Sequence, residues 1–424
     1  MAGVTMPTVA GKVSGPIRSI RAVPQPSPRA DADACPGALR LHAAADGPLA
    51  RVRLPGGRLT GAQLAALRVL AQQWGDGHAE LTSRANLQLR ALEDVPVDQL
   101  AARLRSAGLL PSDTHELVRN IAASPLAGGP DVAGLDQALC ADPRLASLPG
   151  RFLFALDSGA GDVAFPADVA ALPLPDQGDV AILFAGTDAG LRVPTGEVIP
   201  ALLAAAHAFL DERTAQQQGA DRVAWRVREL TDGPARVAAR TAATLGRSLG
   251  ERVRLTRPPV REPIGAIAQP DGRRAVGALV PLGRLTAVQM KVLSGAAALV
   301  VTPWRGIVVP DLPASEVEGW VEALRDAGLE VSAGSRWVGV SACAGRPGCA
   351  KSLADVRADA DAATTAGEGL PVHWVGCERG CGSPAGPHVR VEATGTGYEV
   401  RSPEFSGSAP AGAVGALVGA ARKG

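Results

Sequence analysis

Two stretches of the chain, more than two hundred residues apart, run through the same order of apolar and polar positions. Residues 57–109 begin GRLTGAQLAALRVLAQ, continue AELTSRANLQLRAL and close EDVPVDQLAARLRSAGL. Residues 283–329 begin GRLTAVQMKVLSGAA, continue ALVVTPWRGIVVPDL and close PASEVEGWVEALRDAGL. After each GRLT, apolar residues recur at helical spacing, and Thr60 and Thr286 stand where an N-cap belongs. LQLRAL and GIVVPDL have the β-branched or alternating character of strands. A second helical pattern follows each strand, with Gly108 and Gly328 at its C-cap. With a strand before each GRLT (ARVRLPG, VGALVPLG), both units read β-α-β-α, the pattern of a ferredoxin-like module. Chance similarity of two amphipathic segments is the plainer alternative; duplication implies two pseudo-equivalent halves with a site between them.

Residues 258–272, PPVREPIGAIAQPDG, have the proline and glycine density of a connector between the halves. The first 34 residues, rich in Pro, Ser and Arg and without the apolar core of a signal peptide, read as a disordered tail. A length of 424 residues exceeds one hydrophobic core, so several domains are expected. A net charge of +1 gives no bulk attraction to nucleic acid or membranes, and 3% aromatic residues leave little for base stacking. No apolar run is long enough to span a bilayer. Six cysteines make no disulfide scaffold, so reduced thiols in a cytoplasmic protein are expected.

Four of those six lie in the last fifth of the chain, in SACAGRPGCAKSL and HWVGCERGC. Cys343 and Cys349 have five residues between them, Cys377 and Cys381 three. Thiolates suit iron–sulfur clusters or zinc, and the five-residue gap is loose for a zinc knuckle. Gly345, Gly348, Gly376, Gly380 and Gly382 would let the backbone turn and aim N–H groups at sulfur. KSLADVRADADAA between the pairs predicts a helix and PVHWVG a short strand. Cys35 and Cys140 stand alone and read as incidental; His373 and His388 flank the cluster loops and read first as structural.

In LTSRANLQLR, strand alternation puts Arg84, Asn86, Gln88 and Arg90 on one face and Leu87 and Leu89 on the other. A polar row backed by apolar residues suits an anionic ligand, and arginine grips carboxylates with a planar fork.

The cysteine spacing in the second half of a duplicated chain resembles that of the nitrite/sulfite reductase family. That resemblance implies an α+β, pseudo-twofold fold with two ferredoxin-like half-domains (35–112 and 258–332). It also implies two larger α/β domains, at 113–257 without cluster cysteines and at 333–424 with them. By the same resemblance a 4Fe-4S cluster sits on Cys343, Cys349, Cys377 and Cys381, and Arg84, Arg119 and Arg151 are the catalytic cations. Asn86, Gln88, Asn120 and Arg305 would join them in binding substrate, with Trp304 as packing. Arg151 takes the place of the first lysine of the reductases' distal pair, and Leu153 that of the second. Within the family, CPG at 35–37, TSRANLQLR, VTPWRG and VHWVGCERGC look most like the precorrin-3B synthase branch. That branch implies O2-dependent hydroxylation of precorrin-3A at C20 with γ-lactone closure, a mononuclear non-haem iron beside the cluster, and NADH-derived electrons. No GxGxxG follows a strand, so an external reductase or ferredoxin is expected to supply those electrons. The alternatives are a siroheme-dependent nitrite or sulfite reductase and a zinc-stabilised scaffold without catalysis.

Overall fold

The computed structural model describes residues 35–126, 131–174, 178–217, 223–255, 262–269, 271–384 and 386–423. The expected tail over residues 1–34 lies outside them. The described residues form four five-stranded sheets.

Two sheets carry the repeat. Each GRLT threonine caps its helix in a full capping box, Thr60 with Gln63 before helix Gly61–Trp74 and Thr286 with Gln289 before helix Ala287–Leu293. Gly108 and Gly328, at φ 69° and 80°, end the second helices in the left-handed conformation that lacks a steric cost only for glycine. The halves exchange their GRLT strands. Arg58–Leu59 pairs with Leu299–Val301 of the second half, and Arg284–Leu285 with Ala79–Leu81 of the first. Leu59, Leu64, Leu67, Leu87 and Leu89 therefore share one apolar core with Val276, Leu285, Met290, Leu293 and Val309. The expected connector contributes Gly265–Ala268, an edge strand of the second sheet, which is where a Pro/Gly-rich segment is tolerated.

The other two sheets repeat one another too. Strands Ile121–Ala123, Phe154–Leu156 and Val169–Pro173 are parallel, followed by two antiparallel strands, Asp179–Phe184 and Thr187–Pro194. Val340–Ala342, Val372–Val375 and Val389–Ala393 are likewise parallel, followed by antiparallel Tyr398–Arg401 and Ser406–Ala409. The duplication thus covers the large domains, whose sequences show no shared motif. The first has its core around Phe152, Phe154, Phe184 and Phe209. In the second, Trp374 and Tyr398 stack edge-on at 5.2 Å in a fully buried centre.

Candidate functional site

Cys343 directly follows strand Val340–Ala342, and Cys377 lies two residues beyond its parallel neighbour Val372–Val375. Parallel pairing brings both loops to the same sheet end, the usual crevice for a ligand. The Gly376 N–H donates to Cys343 Sγ at 3.3 Å. In the first large domain the equivalent position after Ala123 is Ser124, whose hydroxyl accepts from Ser158 N and donates to Asp162. A cysteine quartet exists only in the second copy.

The charges of Cys343, Cys349 and Cys377 all reach Cys381 and, after burial, help raise its thiol above the usual range. Yet among the described residues no three His, Cys, Asp or Glu side chains stand close enough to hold a single metal ion. Soft thiolates brought to one sheet end suit an iron–sulfur cluster.

Basic side chains hold the backbone around these cysteines. Arg90 Nη2 donates to Gly348 O at 2.7 Å, Arg390 Nη2 to Glu378 O at 2.8 Å, and His373 Nε2 to Cys381 O at 3.0 Å. Burial pushes His373 down to about 4, so the ring is neutral and its Nδ1 accepts from Ser341 Oγ at 2.8 Å. Gly348 and Gly382 make room for cations: a β-carbon there would stand 2.9 Å from Arg90 Nη2 and 3.0 Å from Arg305 Nη2. Of the N–H···S contacts anticipated from the glycines, the Gly376 one is present.

The cationic residues divide between two places. Arg84 sits in the turn before strand Leu87–Leu89, not on the strand; Thr82 Oγ1 accepts from Asn86 N at 3.1 Å, and Ala85 adopts φ 57°. Its guanidinium donates to Gly150 O at 3.4 Å, and Asn120 Nδ2 donates to the same carbonyl at 2.7 Å. Asn86 joins them, donating to Asn120 Oδ1 at 3.2 Å and accepting from Leu54 N at 2.9 Å. This buried network fixes the residue before Arg151, whose guanidinium lies 4.8 Å from the Trp225 ring centre. Leu153 is buried with Ala122, Val163 and Ala164. Arg119 is turned to Asp136, which it grips in two bonds of 2.7 and 2.6 Å. Gln88 bridges Arg51 (3.0 Å) and Glu80 (3.2 Å). Arg305 lies in the pseudo-equivalent turn at φ 66°, at the position of Ala85, and reaches the cluster loop.

Arg51, Arg53 and Arg226 escaped the sequence reading, and Cys35, read there as incidental, lies near them. Arg53 is 3% exposed, its Nη1 and Nη2 have no hydrogen-bond partner among the described residues, and burial followed by repulsion from Arg51 pushes it down to about 9. Arg84 is pushed down to about 10 by burial and by Arg226. Cys35 lies within electrostatic reach of both Arg53 and Arg84. Arg226 is paired with Asp168 at 2.5 Å, so the guanidinium charge left over lies at Arg53 and Arg84, which suits a polycarboxylate ligand. Its sequence signal was RVRLPGG, whose two arginines alternate against buried Ala50 and Val52.

The model for the nitrite/sulfite reductase ferredoxin-like half domain matches twice, at residues 42–107 and 267–327. The ferredoxin–nitrite reductase of Synechococcus elongatus is 26% identical over 384 residues, 79% of this chain and 74% of the relative. The ferredoxin-dependent sulfite reductase of Mycobacterium tuberculosis is 27% identical over 352 residues, 72% of this chain and 60% of that one. A precorrin-3B synthase of Sinorhizobium sp is 35% identical over 111 residues, 26% of this chain and 22% of the relative. The solved NirA protein of Mycobacterium tuberculosis has the same fold, with TM-score 0.68 and 20% identity, covering 85% of this chain and 77% of that one.

Proposed function

From the premise that this chain is an oxidoreductase of the nitrite/sulfite reductase fold with the ferredoxin-like half domain in duplicate, we propose that it couples an iron–sulfur cluster to a tetrapyrrole. Cys343, Cys349, Cys377 and Cys381 would hold a 4Fe-4S cluster, which supplies single electrons when bound. Arg53, Arg84 and Arg51 would receive the macrocycle carboxylates; Asn120 holds the Gly150 carbonyl and Asn86 holds Asn120, a network that would steady the neighbouring Arg151 for substrate. The observation that carries this reading is that the loops of Cys343 and Cys377 leave the same end of two parallel strands, with the Gly376 N–H donating to Cys343 Sγ. Electrons come from an external donor, in keeping with the ferredoxin dependence of the relatives.

Two reactions fit that machinery. Likeness over most of the chain favours the siroheme-dependent reduction of nitrite or sulfite. One feature of the site favours the other reaction, O2-dependent conversion of precorrin-3A. Where the resemblance puts a second distal lysine, Leu153 is buried among apolar side chains, so Arg151 lacks that second cation for a charged oxyanion. The 35% identical stretch of precorrin-3B synthase supports the same reading. Purification under anaerobic conditions separates the two. Siroheme bands with nitrite- or sulfite-dependent oxidation of a reduced donor establish the reductase; a brown cluster spectrum alone, with oxygen added to precorrin-3A in mass spectra, establishes the synthase.

A further inference from the structure

The chain has one tyrosine in 424 residues, and the fold buries it. Tyr398 is 2% exposed, and its ring stands edge-on to that of Trp374, with 5.2 Å between centres and 79° between planes. Trp374 lies on the strand that leads into a cysteine loop: its carbonyl accepts from Cys343 N at 2.9 Å, and Cys377 follows three residues on. Cys343 packs against the core to which both rings belong. The rings differ in where a proton can go. Trp374 Nε1 is buried with no hydrogen-bond partner among the described residues. Tyr398 Oη donates to Asp359 Oδ2, on helix Val356–Ala363 between the two cysteine pairs. Asp359 is half-buried, and no cation pairs with it among the described residues. Phenylalanine would fill the same ring volume, so packing alone does not call for the hydroxyl.

Among the described residues no other contact joins two readily oxidised rings; the remaining aromatic contacts are Phe152 with Phe154 and with Phe209. Three further tryptophans lie under guanidinium groups, Trp74 at 5.5 Å from Arg103, Trp225 at 4.8 Å from Arg151 and Trp337 at 4.4 Å from Arg336. A cation that close opposes a second positive charge on the ring. Trp304 and Trp320 stack on no aromatic ring among the described residues.

We propose that Trp374 and Tyr398 form a relay that carries oxidising equivalents away from the cysteine centre, with Asp359 as its proton acceptor. The oxidant is the hydroxyl radical that hydrogen peroxide yields at reduced iron; it takes one electron and becomes hydroxide. That electron leaves Trp374, whose cation radical has no acceptor for its N–H proton and so stays strongly oxidising. Tyr398 then refills Trp374: the phenolic O–H breaks, its proton goes to the Asp359 carboxylate, and a neutral tyrosyl radical remains. Oxidation is thereby moved from the sulfur ligands to a ring that one electron and the returning proton restore.

This inference rests on the cluster reading above, and its test keeps the two apart. The whole chain, reconstituted anaerobically with iron and sulfide, is mixed with hydrogen peroxide, freeze-quenched and read by EPR. Ring-deuterated tyrosine identifies a tyrosyl signal, which in a chain with one tyrosine belongs to Tyr398. Wild type is expected to give that signal and Tyr398→Phe to lack it, while the cluster absorbance of Tyr398→Phe decays about threefold faster in peroxide. Trp374→Phe and Asp359→Asn should each lower the radical yield about tenfold. Asparagine still accepts the hydrogen bond but cannot take the proton, so a merely structural Asp359 would leave the yield unchanged. Should Trp374→Phe assemble no cluster, the Tyr398 and Asp359 variants decide the matter. A wild type that binds no sulfide removes the cluster reading and this inference together. A wild-type cluster that gives no tyrosyl signal overturns the inference alone; so does a wild-type yield in Asp359→Asn, or a Tyr398→Phe cluster that lasts as long as wild type.

Discussion

Arg90→Met is expected to loosen the cluster without touching a cysteine. Arg90 is 6% exposed and joins the first ferredoxin-like half to the loop before Cys349. Its Nε and Nη2 hold Asp46 at 2.9 and 2.8 Å, and Nη2 also donates to Gly348 O at 2.7 Å. Methionine keeps the length of the stem and leaves Asp46, Glu80 and the carbonyl unpaired. Breaking a buried ion pair costs about 3–5 kcal/mol, and a charge-assisted bond to a carbonyl about 1.5–3 kcal/mol. The two losses share one side chain and do not add. Asp46 regains some water on release, so about 3 kcal/mol is the working figure, roughly a hundredfold in the docking equilibrium of the loop. The assay is loss of cluster absorbance after dilution into chelator, with Arg105→Met as a control because the Arg105–Asp113 pair is exposed and of little weight. Arg90→Met should lose its cluster at least tenfold faster than wild type and the control at the wild-type rate. A lifetime within twofold of wild type would refute the reasoning that this arginine secures the loop.

Other outcomes follow from the same geometry. Arg53→Met removes a buried cation whose Nη atoms have no hydrogen-bond partner among the described residues; the ligand-free protein should melt no lower than wild type, while binding of uroporphyrin measured by fluorescence quenching weakens at least tenfold. Leu153→Lys puts an ammonium among Ala122, Val163 and Ala164 and should lower the thermal midpoint by several degrees in a melting scan; an unchanged midpoint would mean that the side chain reaches an open anion site. Burial acts to raise Asp76, but bonds from His78 and from Arg284 of the other half overcome it and bring the carboxyl down to about 2. A depressed acid stabilises above its ordinary value near 4 and loses that contribution as pH falls toward 2. Asp76→Asn should therefore cost about 2 kcal/mol at pH 7 and about half as much at pH 3, read from urea unfolding at both pH values.

What the sequence revealed was what neighbours in the chain decide. The capping boxes at Thr60 and Thr286 and the glycine ends at Gly108 and Gly328 depend on residues within one helical turn, and all are present. The duplicated half-domain was legible for the same reason, since GRLT and LRxAGL repeat almost letter for letter, whereas the reductase-type fold came from the resemblance carried by the cysteine spacing. The exchange of Arg58–Leu59 and Arg284–Leu285 between halves was not, because a two-residue strand has no periodicity and its partner lies over two hundred residues away. The second duplication, in the large domains, shows only in the order of parallel and antiparallel strands. Among site residues, Arg84 and Asn120 meet at the Gly150 carbonyl, next in the chain to Arg151, and Asn86 joins through Asn120, whereas Arg119 faces Asp136 and Arg305 the cluster loop. Arg53 was missed because an arginine three residues before a glycine pair reads as surface until the fold closes over it.

The central claim is that the four late cysteines cage an iron–sulfur cluster beside a buried arginine group. Iron and acid-labile sulfide, counted in the anaerobically reconstituted chain and in Cys343→Ser, test it most directly. The account predicts four iron and four sulfide per wild-type chain, with both falling by more than half in the variant. Wild-type protein that carries one zinc and no sulfide, or a variant that keeps the full complement, would contradict it.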